Sequence, residues 1–205
     1  GKGNDQVRFE MCAQALDPSI TTIAPWRDSE FIATFQGRKE LLAYCAKHNI
    51  KVDAKPKANY SVDENLFHTS YESGMLEDEN VAADESMYKM TTNPRTANPA
   101  GDKIEVEFKA GVPVRITDKG SKRTETDPLK LFEFANELGG RNGVGRIDIV
   151  ENRFVGIKSR GIYETPGGTI LRAAHLDIEG VTMDREVKRI TETMGLEFSR
   201  LCYNG

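Results

Sequence analysis

Cysteine is scarce: three residues in 205, at 12, 45 and 202. None of them has the short spacing of a metal-ligand pair, and an odd, scattered set excludes a disulfide framework. No apolar run approaches the roughly 18 residues that span a bilayer. The opening Gly-Lys-Gly-Asn-Asp-Gln also lacks the apolar core of a secretory signal. Charge of one sign is lacking as well. The 28 Lys+Arg stand against 32 Asp+Glu, a net charge of -4, which excludes a basic, phosphate-tracking surface for nucleic acid. The glycines form no G-x-G-x-x-G inside a strand-helix-strand unit, so a dinucleotide fingerprint is excluded too. His48, His68 and His175 have no mutual spacing that suggests a metal site or a triad. Asn59-Tyr-Ser61 matches a glycosylation acceptor, but only a secreted chain would use it. The expectation is a reduced, cytoplasmic protein that meets neither membrane nor nucleic acid. Its 38% hydrophobic residues suffice for one large folded body.

The patterning mixes helices with alternating strands and shows no strand-helix-strand rhythm. Asn4 or Asp5 can cap a helix over 4–16, in which Val7, Met11 and Ala15 recur every four residues. Thr21-Thr22-Ile23 is a short strand candidate. A second helix is expected from Arg38 to His48, burying Leu41, Leu42 and Cys45. Residues 53–103 carry little apolar periodicity. Within them, 71–88 hold six acids and no base, the pattern of a solvated face. Ile104–Phe108 and Val112–Ile116 alternate around Lys109-Ala-Gly111 and predict a hairpin. Asp127-Pro128 predicts the start of a helix that runs to Leu138 and is closed by Gly139-Gly140. Ile147–Glu151 and Arg153–Ile157 read as two strands around Asn152. Pro166 opens a long helical stretch to Cys202 with a break near Gly180. The fold class is therefore α+β, a mainly antiparallel sheet with packed helices and a C-terminal helical arm.

Two places carry chemistry. Gly1-Lys2-Gly3-Asn4 precedes a helix N-terminus, where free N–H groups and the dipole favour an anion. Arg8 lies one turn beyond Asn4 on the same face, within reach of a carboxylate. An ordinary capped helix start and a solvated arginine explain the same residues. The stretch Gly143–Arg153 carries Arg146, Asp148, Glu151 and Arg153 in and beside a strand. Alternation places Arg146 and Asp148 on one face and Ile147 and Ile149 on the other. An exposed charged face is the plainer reading, and a site for a small charged molecule is the alternative.

Five segments then decide the matter. Gly1–Glu10, Ile23-Ala-Pro-Trp-Arg27, Tyr60-Ser-Val-Asp-Glu-Asn-Leu66, Gly143–Arg153 and Gly161-Ile-Tyr-Glu-Thr-Pro166 resemble, in order, the argininosuccinate synthase family. The resemblance implies ligation of citrulline to aspartate through a citrullyl-adenylate, with ATP and Mg2+ entering as substrate and AMP and pyrophosphate leaving. It implies ATP contacts at Gly1, Lys2, Gly3 and Asn4, and aspartate contacts at Asn4 and Asp5. Citrulline contacts fall on Asn4, Arg8, Ser61, Ser70, Glu151 and Tyr163, with Asn4, Asp5 and Arg8 nearest the chemistry and no protein-bound metal. Glu151 would meet the α-ammonium, and Arg8 serves either end of citrulline. The sequence contains no Ser-Gly-Gly phosphate loop and opens partway through the family's Gly-Ala-Thr-Gly-Lys-Gly-Asn-Asp-Gln motif. The resemblance therefore implies a fragment: a synthetase domain over 1–180 and the start of an oligomerisation helix over 181–205, without the N-terminal ATP-pyrophosphatase half. The family is tetrameric, and Val187, Ile190, Met194, Phe198 and Leu201 form the matching apolar stripe. The alternative for this stretch alone is a non-catalytic module that binds citrulline or self-associates.

Overall fold

The computed structural model describes residues 4–52 and 60–205. Helices α1 (Asn4–Leu16), α2 (Ser29–Thr34) and α3 (Arg38–Lys47) come first. Strands β1 (Ser61–Glu64), β2 (Thr69–Glu72), β3 (Ile104–Lys109), β4 (Val112–Asp118) and β5 (Thr124–Glu125) follow. Helix α4 (Pro128–Arg141), strands β6 (Arg146–Asn152) and β7 (Lys158–Glu164), and helices α5 (Pro166–Thr182) and α6 (Arg185–Asn204) complete the chain. The fold class is α+β, with two antiparallel sheets ordered β1-β2-β7-β6 and β3-β4-β5. The chain divides into two compact units, one of residues 1–58, 152–157 and 192–205, the other of 59–151 and 158–191.

The first unit is held by rings. Trp26, Phe31, Phe35, Tyr44 and His48 form a ladder whose neighbouring centroids lie 5.3, 4.9, 5.3 and 4.2 Å apart. Asp28 caps α2 by accepting from the Glu30 and Phe31 N–H groups. Thr21-Thr22-Ile23, expected as a strand, is irregular. A strand needs a neighbour for its ladder hydrogen bonds, and these residues join neither sheet. Helix α3 half-buries Leu41 and Cys45 but leaves Leu42 exposed, one residue off the packed stripe.

The second unit carries both cores. Leu131, Phe134, Ala135 and Leu138 of α4 pack with Ile116 of β4 and Leu171 of α5. Asp127 accepts from the Lys130 N–H and Pro128 takes the first helical position, as the sequence predicted. Gly139 and Gly140 do not end α4, however; they lie in its last turn because other chain segments press against it. A Cβ at 139 would stand 2.8 Å from Pro166, and one at 140 only 2.2 Å from the Met90 carbonyl oxygen. The β3–β4 hairpin turns on Ala110 (φ 50°) and Gly111 (φ 80°), both left-handed as a tight two-residue turn requires.

The second core joins Tyr71, Leu76, Met87 and Ile162. Three of these come from 71–88, so that acidic segment is not simply a solvated face. Arg153–Ile157 is not a strand either. The Arg153 N–H donates to the Ile157 carbonyl at 2.8 Å and Gly156 adopts φ +83°, which makes this segment the turn that precedes β7. The break between α5 and α6 falls at Met183-Asp184 rather than at Gly180. Asp184 accepts from the Glu186 and Val187 N–H groups and so caps α6 directly. Among the described residues no helix is long and apolar enough to cross a membrane.

Candidate functional site

Strand register decides which side chains share a face. Ser61 pairs with Glu72, Asp63 with Ser70, Ser70 with Tyr163, and Glu72 with Gly161. Side chains alternate along a strand, so Ser61, Asp63, Ser70, Glu72 and Tyr163 all rise from one face of the four-stranded sheet. Glu151 of β6 joins them, because the Tyr163 hydroxyl donates to Glu151 Oε1 at 2.8 Å. His68 flanks the phenol, its ring centroid 6.0 Å away. The four residues expected to hold citrulline in this unit therefore share one face, spread across its four strands. Its chemistry is a fixed carboxylate, two primary hydroxyls and a phenol, with two further acids beside them.

The opposite face is closed by charges rather than left to water. Arg146 Nε donates to Thr91 Oγ1 at 2.6 Å and its Nη2 to the Thr91 carbonyl at 2.9 Å. Its guanidinium also forks onto Glu85 at 2.7 and 3.0 Å and lies 3.7 Å over the Tyr88 ring. Arg160 grips Asp148 at 2.8 and 2.9 Å. These hydrogen bonds, more than the added charge, hold the Glu85 and Asp148 carboxyls below their ordinary range. Beneath them the fully buried Glu164 accepts from Tyr71 Oη at 2.5 Å and from the N–H groups of Lys89, Met90 and Thr91. Burial first, and Glu164 second, push the Tyr71 phenol well above its usual range. Arg146 and Asp148 share one face, as the alternation predicts, with Arg146 half-buried by its partners and Asp148 exposed, while Ile147 and Ile149 stand exposed on the side of Glu151.

In the other unit, Asn4, Asp5 and Arg8 share the first turns of α1. Asn4 Nδ2 donates to Tyr203 Oη at 2.6 Å, and Asn4 Oδ1 accepts from the Phe154 N–H at 2.7 Å. Arg8 Nε donates to the Tyr203 carbonyl at 3.0 Å, its Nη1 meets Asp5 at 2.9 Å, and its guanidinium lies 4.6 Å over the Tyr203 ring. Asn4 and Arg8 thus share a face one turn apart, as the spacing required. Gly1, Lys2 and Gly3 lie outside the described residues. Among the described residues no group of three or more His, Cys, Asp or Glu is placed to hold a metal ion.

Two facing acids, Asp63 and Glu72, were not expected. The signal was present in Ser-x-Asp at 61–63 and Ser-x-Glu at 70–72, a two-residue repeat that puts hydroxyl and acid on one side. Short strands in a stretch without apolar alternation concealed it.

Residues 60–205 match the family model described as the arginosuccinate synthase C-terminal domain. The chain belongs to the argininosuccinate synthase family. Residues 1–51 match the model described as the arginosuccinate synthase N-terminal HUP domain. The boundary between the two models thus falls between 51 and 60. The two compact units divide nearby, at Ala58/Asn59. Argininosuccinate synthases of Danio rerio and Homo sapiens are 56% and 53% identical over 205 residues, covering 100% of this chain and 50% of each relative. That of Drosophila melanogaster is 53% identical over 206 residues, 49% of its length. The chain therefore spans about half the length of the curated argininosuccinate synthases that it matches.

Proposed function

We propose that this chain is part of an ATP-dependent ligase that joins citrulline to aspartate. In the reaction the ureido oxygen of citrulline attacks the α-phosphorus of ATP and pyrophosphate leaves. The aspartate amine then attacks the activated ureido carbon, and AMP leaves with the former ureido oxygen. The observation that carries this reading is the Ser61, Ser70, Glu151 and Tyr163 face, found in a chain of this family. Citrulline is a zwitterion with a neutral ureido end, so its site needs an anion for the ammonium and neutral donors and acceptors for the rest. Glu151, oriented by the Tyr163 hydroxyl, supplies the anion; Ser61, Ser70 and Tyr163 supply neutral groups. Asn4 and Arg8 complete the citrulline set, and Asn4 and Asp5 take aspartate. Gly1, Lys2, Gly3 and Asn4 take ATP, with Mg2+ entering on its phosphates. Neither step needs a covalent enzyme intermediate, so catalysis rests on positioning and on stabilising charge at the phosphoryl group.

The 205-residue chain assayed alone is expected to be inactive, since its sequence contains no Ser-Gly-Gly loop to hold the leaving pyrophosphate. In solution it is expected to self-associate through α6. Val187, Ile190, Met194, Phe198 and Leu201 stand 50, 53, 63, 69 and 57% exposed, so the stripe is not core within this chain. Cytoplasmic placement follows from the same reading.

The test is Glu151→Gln in the full-length enzyme. An ammonium left without its charge partner in a desolvated site loses about 2–5 kcal/mol, or roughly 30- to 4,000-fold in affinity. The apparent constant for citrulline should rise by that order while the one for ATP holds. Equal shifts in both would show that Glu151 does not hold the ammonium.

A further inference from the structure

We propose that Gly161 is a positioning residue of the citrulline subsite, acting through Tyr163; the inference rests on the reading above. Gly161 and Tyr163 are two apart on β7 and so share the site face, Gly161 paired with Glu72 and Tyr163 with Ser70. A Cβ on residue 161 would stand 2.7 Å from Tyr163 Cε2, 2.8 Å from its Oη and 3.0 Å from its Cζ. Real side chains do not tolerate such contacts. The phenol therefore lies back along its own strand, over the bare α-carbon of residue 161. That posture carries the hydroxyl to Glu151 Oε1 at 2.8 Å. It also explains why Gly161 is buried on a face that is otherwise half open.

Backbone conformation does not account for this glycine. Its φ lies outside the left-handed region in which Gly143, Gly145 and Gly156 sit, so any residue could adopt it. Space alone selects glycine at 161, and the space is filled by one ring. The contrast with other crowded glycines is informative. A Cβ at 140 or 145 would strike backbone, at Met90 and at Thr165-Pro166, where the fold itself must give way. At 161 only the far end of a tyrosine is struck, so the ring can move while the sheet stays. The ring cannot move without withdrawing its hydroxyl from Glu151. The carboxylate then loses the donor that aims it at the substrate ammonium.

The experiment is Gly161→Ala, Tyr163→Phe and the double variant in the full-length enzyme, with a crystal structure of Gly161→Ala. A hydrogen bond to a charged group is worth roughly 10- to 150-fold in equilibrium. The apparent constant for citrulline should rise by that factor in Gly161→Ala, with the constants for ATP and aspartate within about threefold of wild type. Because the glycine acts through the phenol, the double variant should be no worse than Tyr163→Phe. Additive losses would overturn the inference. A phenol still bonded to Glu151 in Gly161→Ala would overturn it whatever the kinetics. So would a variant that does not fold, because residue 161 would then serve the sheet rather than the ring. A displaced phenol with unchanged citrulline kinetics has a different meaning: it confirms Gly161 as the seat of the ring and overturns the assignment of this face to citrulline.

Discussion

Glu164→Gln tests how the loop beside the site is held. The side chain is completely buried, and as a carboxylate it can only accept hydrogen bonds. Oε2 receives Tyr71 Oη at 2.5 Å, the Lys89 N–H at 2.9 Å and the Met90 N–H at 3.2 Å. Oε1 receives Thr91 Oγ1 at 2.5 Å and the Thr91 and Met90 N–H groups at 2.9 and 3.1 Å. Three successive backbone N–H groups thus converge on one anion, a nest closed by two hydroxyls. Glutamine converts one oxygen into a donor. The hydroxyls can rotate and accept, and Met90 can keep the remaining oxygen, but either Lys89 falls back on its longer bond to Tyr71 Oη at 3.1 Å or Thr91 loses its acceptor. A weakened or orphaned buried N–H costs up to about 1–3 kcal/mol, and the surviving bonds lose their charge assistance. A total of about 2–4 kcal/mol would raise the local opening equilibrium roughly 30- to 900-fold. Native-state hydrogen exchange at the amides of 89, 90 and 91 reads this directly, with the β3–β4 hairpin amides as the internal control. No change at 89–91, or the same loss in the hairpin, would refute the view that the carboxylate pegs this loop.

Three further outcomes follow from the structure. The Asp118 carboxyl is held at about 2 by hydrogen bonds from the Ser121 hydroxyl, then Arg141, then the Gly120 N–H. A folded value below the unfolded one of about 3.9 stabilises above that pH, and the gain is lost as pH falls through the folded value. The gap in urea midpoint between wild type and Asp118→Asn should therefore be constant from pH 7 to 5 and close between about 4 and 2; a gap that persists unchanged below pH 3 contradicts this. Gly140→Ala should destabilise by about 1–3 kcal/mol through overpacking, whereas Gly180→Ala and Gly195→Ala, whose new Cβ would meet nothing within 4 Å, should stabilise by about 0.5–1 kcal/mol. Thermal melts showing the same sign at all three positions would defeat the packing argument. Burying five stripe residues of α6 at about 1.5–3 kcal/mol each, before association costs, should hold oligomers at tens of micromolar. Light scattering should show Ile190→Asp plus Phe198→Asp returning them to monomers, and a wild-type monomer would end that proposal.

Much of the fold was legible wherever a local signal coincided with its tertiary use. Asp127-Pro128 starts α4 because a cap and a fixed φ act within four residues, and Lys109-Ala-Gly111 turns because Gly111 accepts a positive φ without cost. What could not be read depends on partners far along the chain. Gly139 and Gly140 carry the local signature of a helix end, yet Pro166 and Met90 press so closely that only glycine fits there, and α4 runs on beneath them. The Arg153–Ile157 segment has apolar residues enough for a strand, but Gly156 turns it before a ladder can form. The candidate site divides along the same line. Glu151 stood out as a charge at the end of an expected strand, whereas Ser61, Ser70 and Tyr163 came from resemblance, and only the β1-β2-β7-β6 register brings all four to one face.

The two faces of that sheet separate ion pairs made within the fold from the acids that the proposed function assigns to the ligand. On the packed side both arginines found partners in the chain: Arg146 in Glu85 and Thr91, Arg160 in Asp148. Those carboxyls are lowered by the hydrogen bonds that they accept, so their field is spent within the fold. On the other side the facing residues of β1, β2 and β7 and the end of β6 set Asp63, Glu72 and Glu151 beside two serines and a phenol. The complement of acids, hydroxyls and a phenol is an ammonium with polar groups attached, which is the chemistry of an amino-acid ligand. The same alternation that turns Arg146 and Asp148 toward Thr91 and Arg160 therefore sets Glu151 on the other face, two residues beyond Ile149. A one-residue slip of β6 would bury the acid and expose the arginine. Pairing with β7, fixed by the Asp148–Arg160 fork and the Glu151–Tyr163 hydrogen bond on opposite faces, prevents that slip, and the register of this edge strand is thereby a requirement of the site as much as of the sheet.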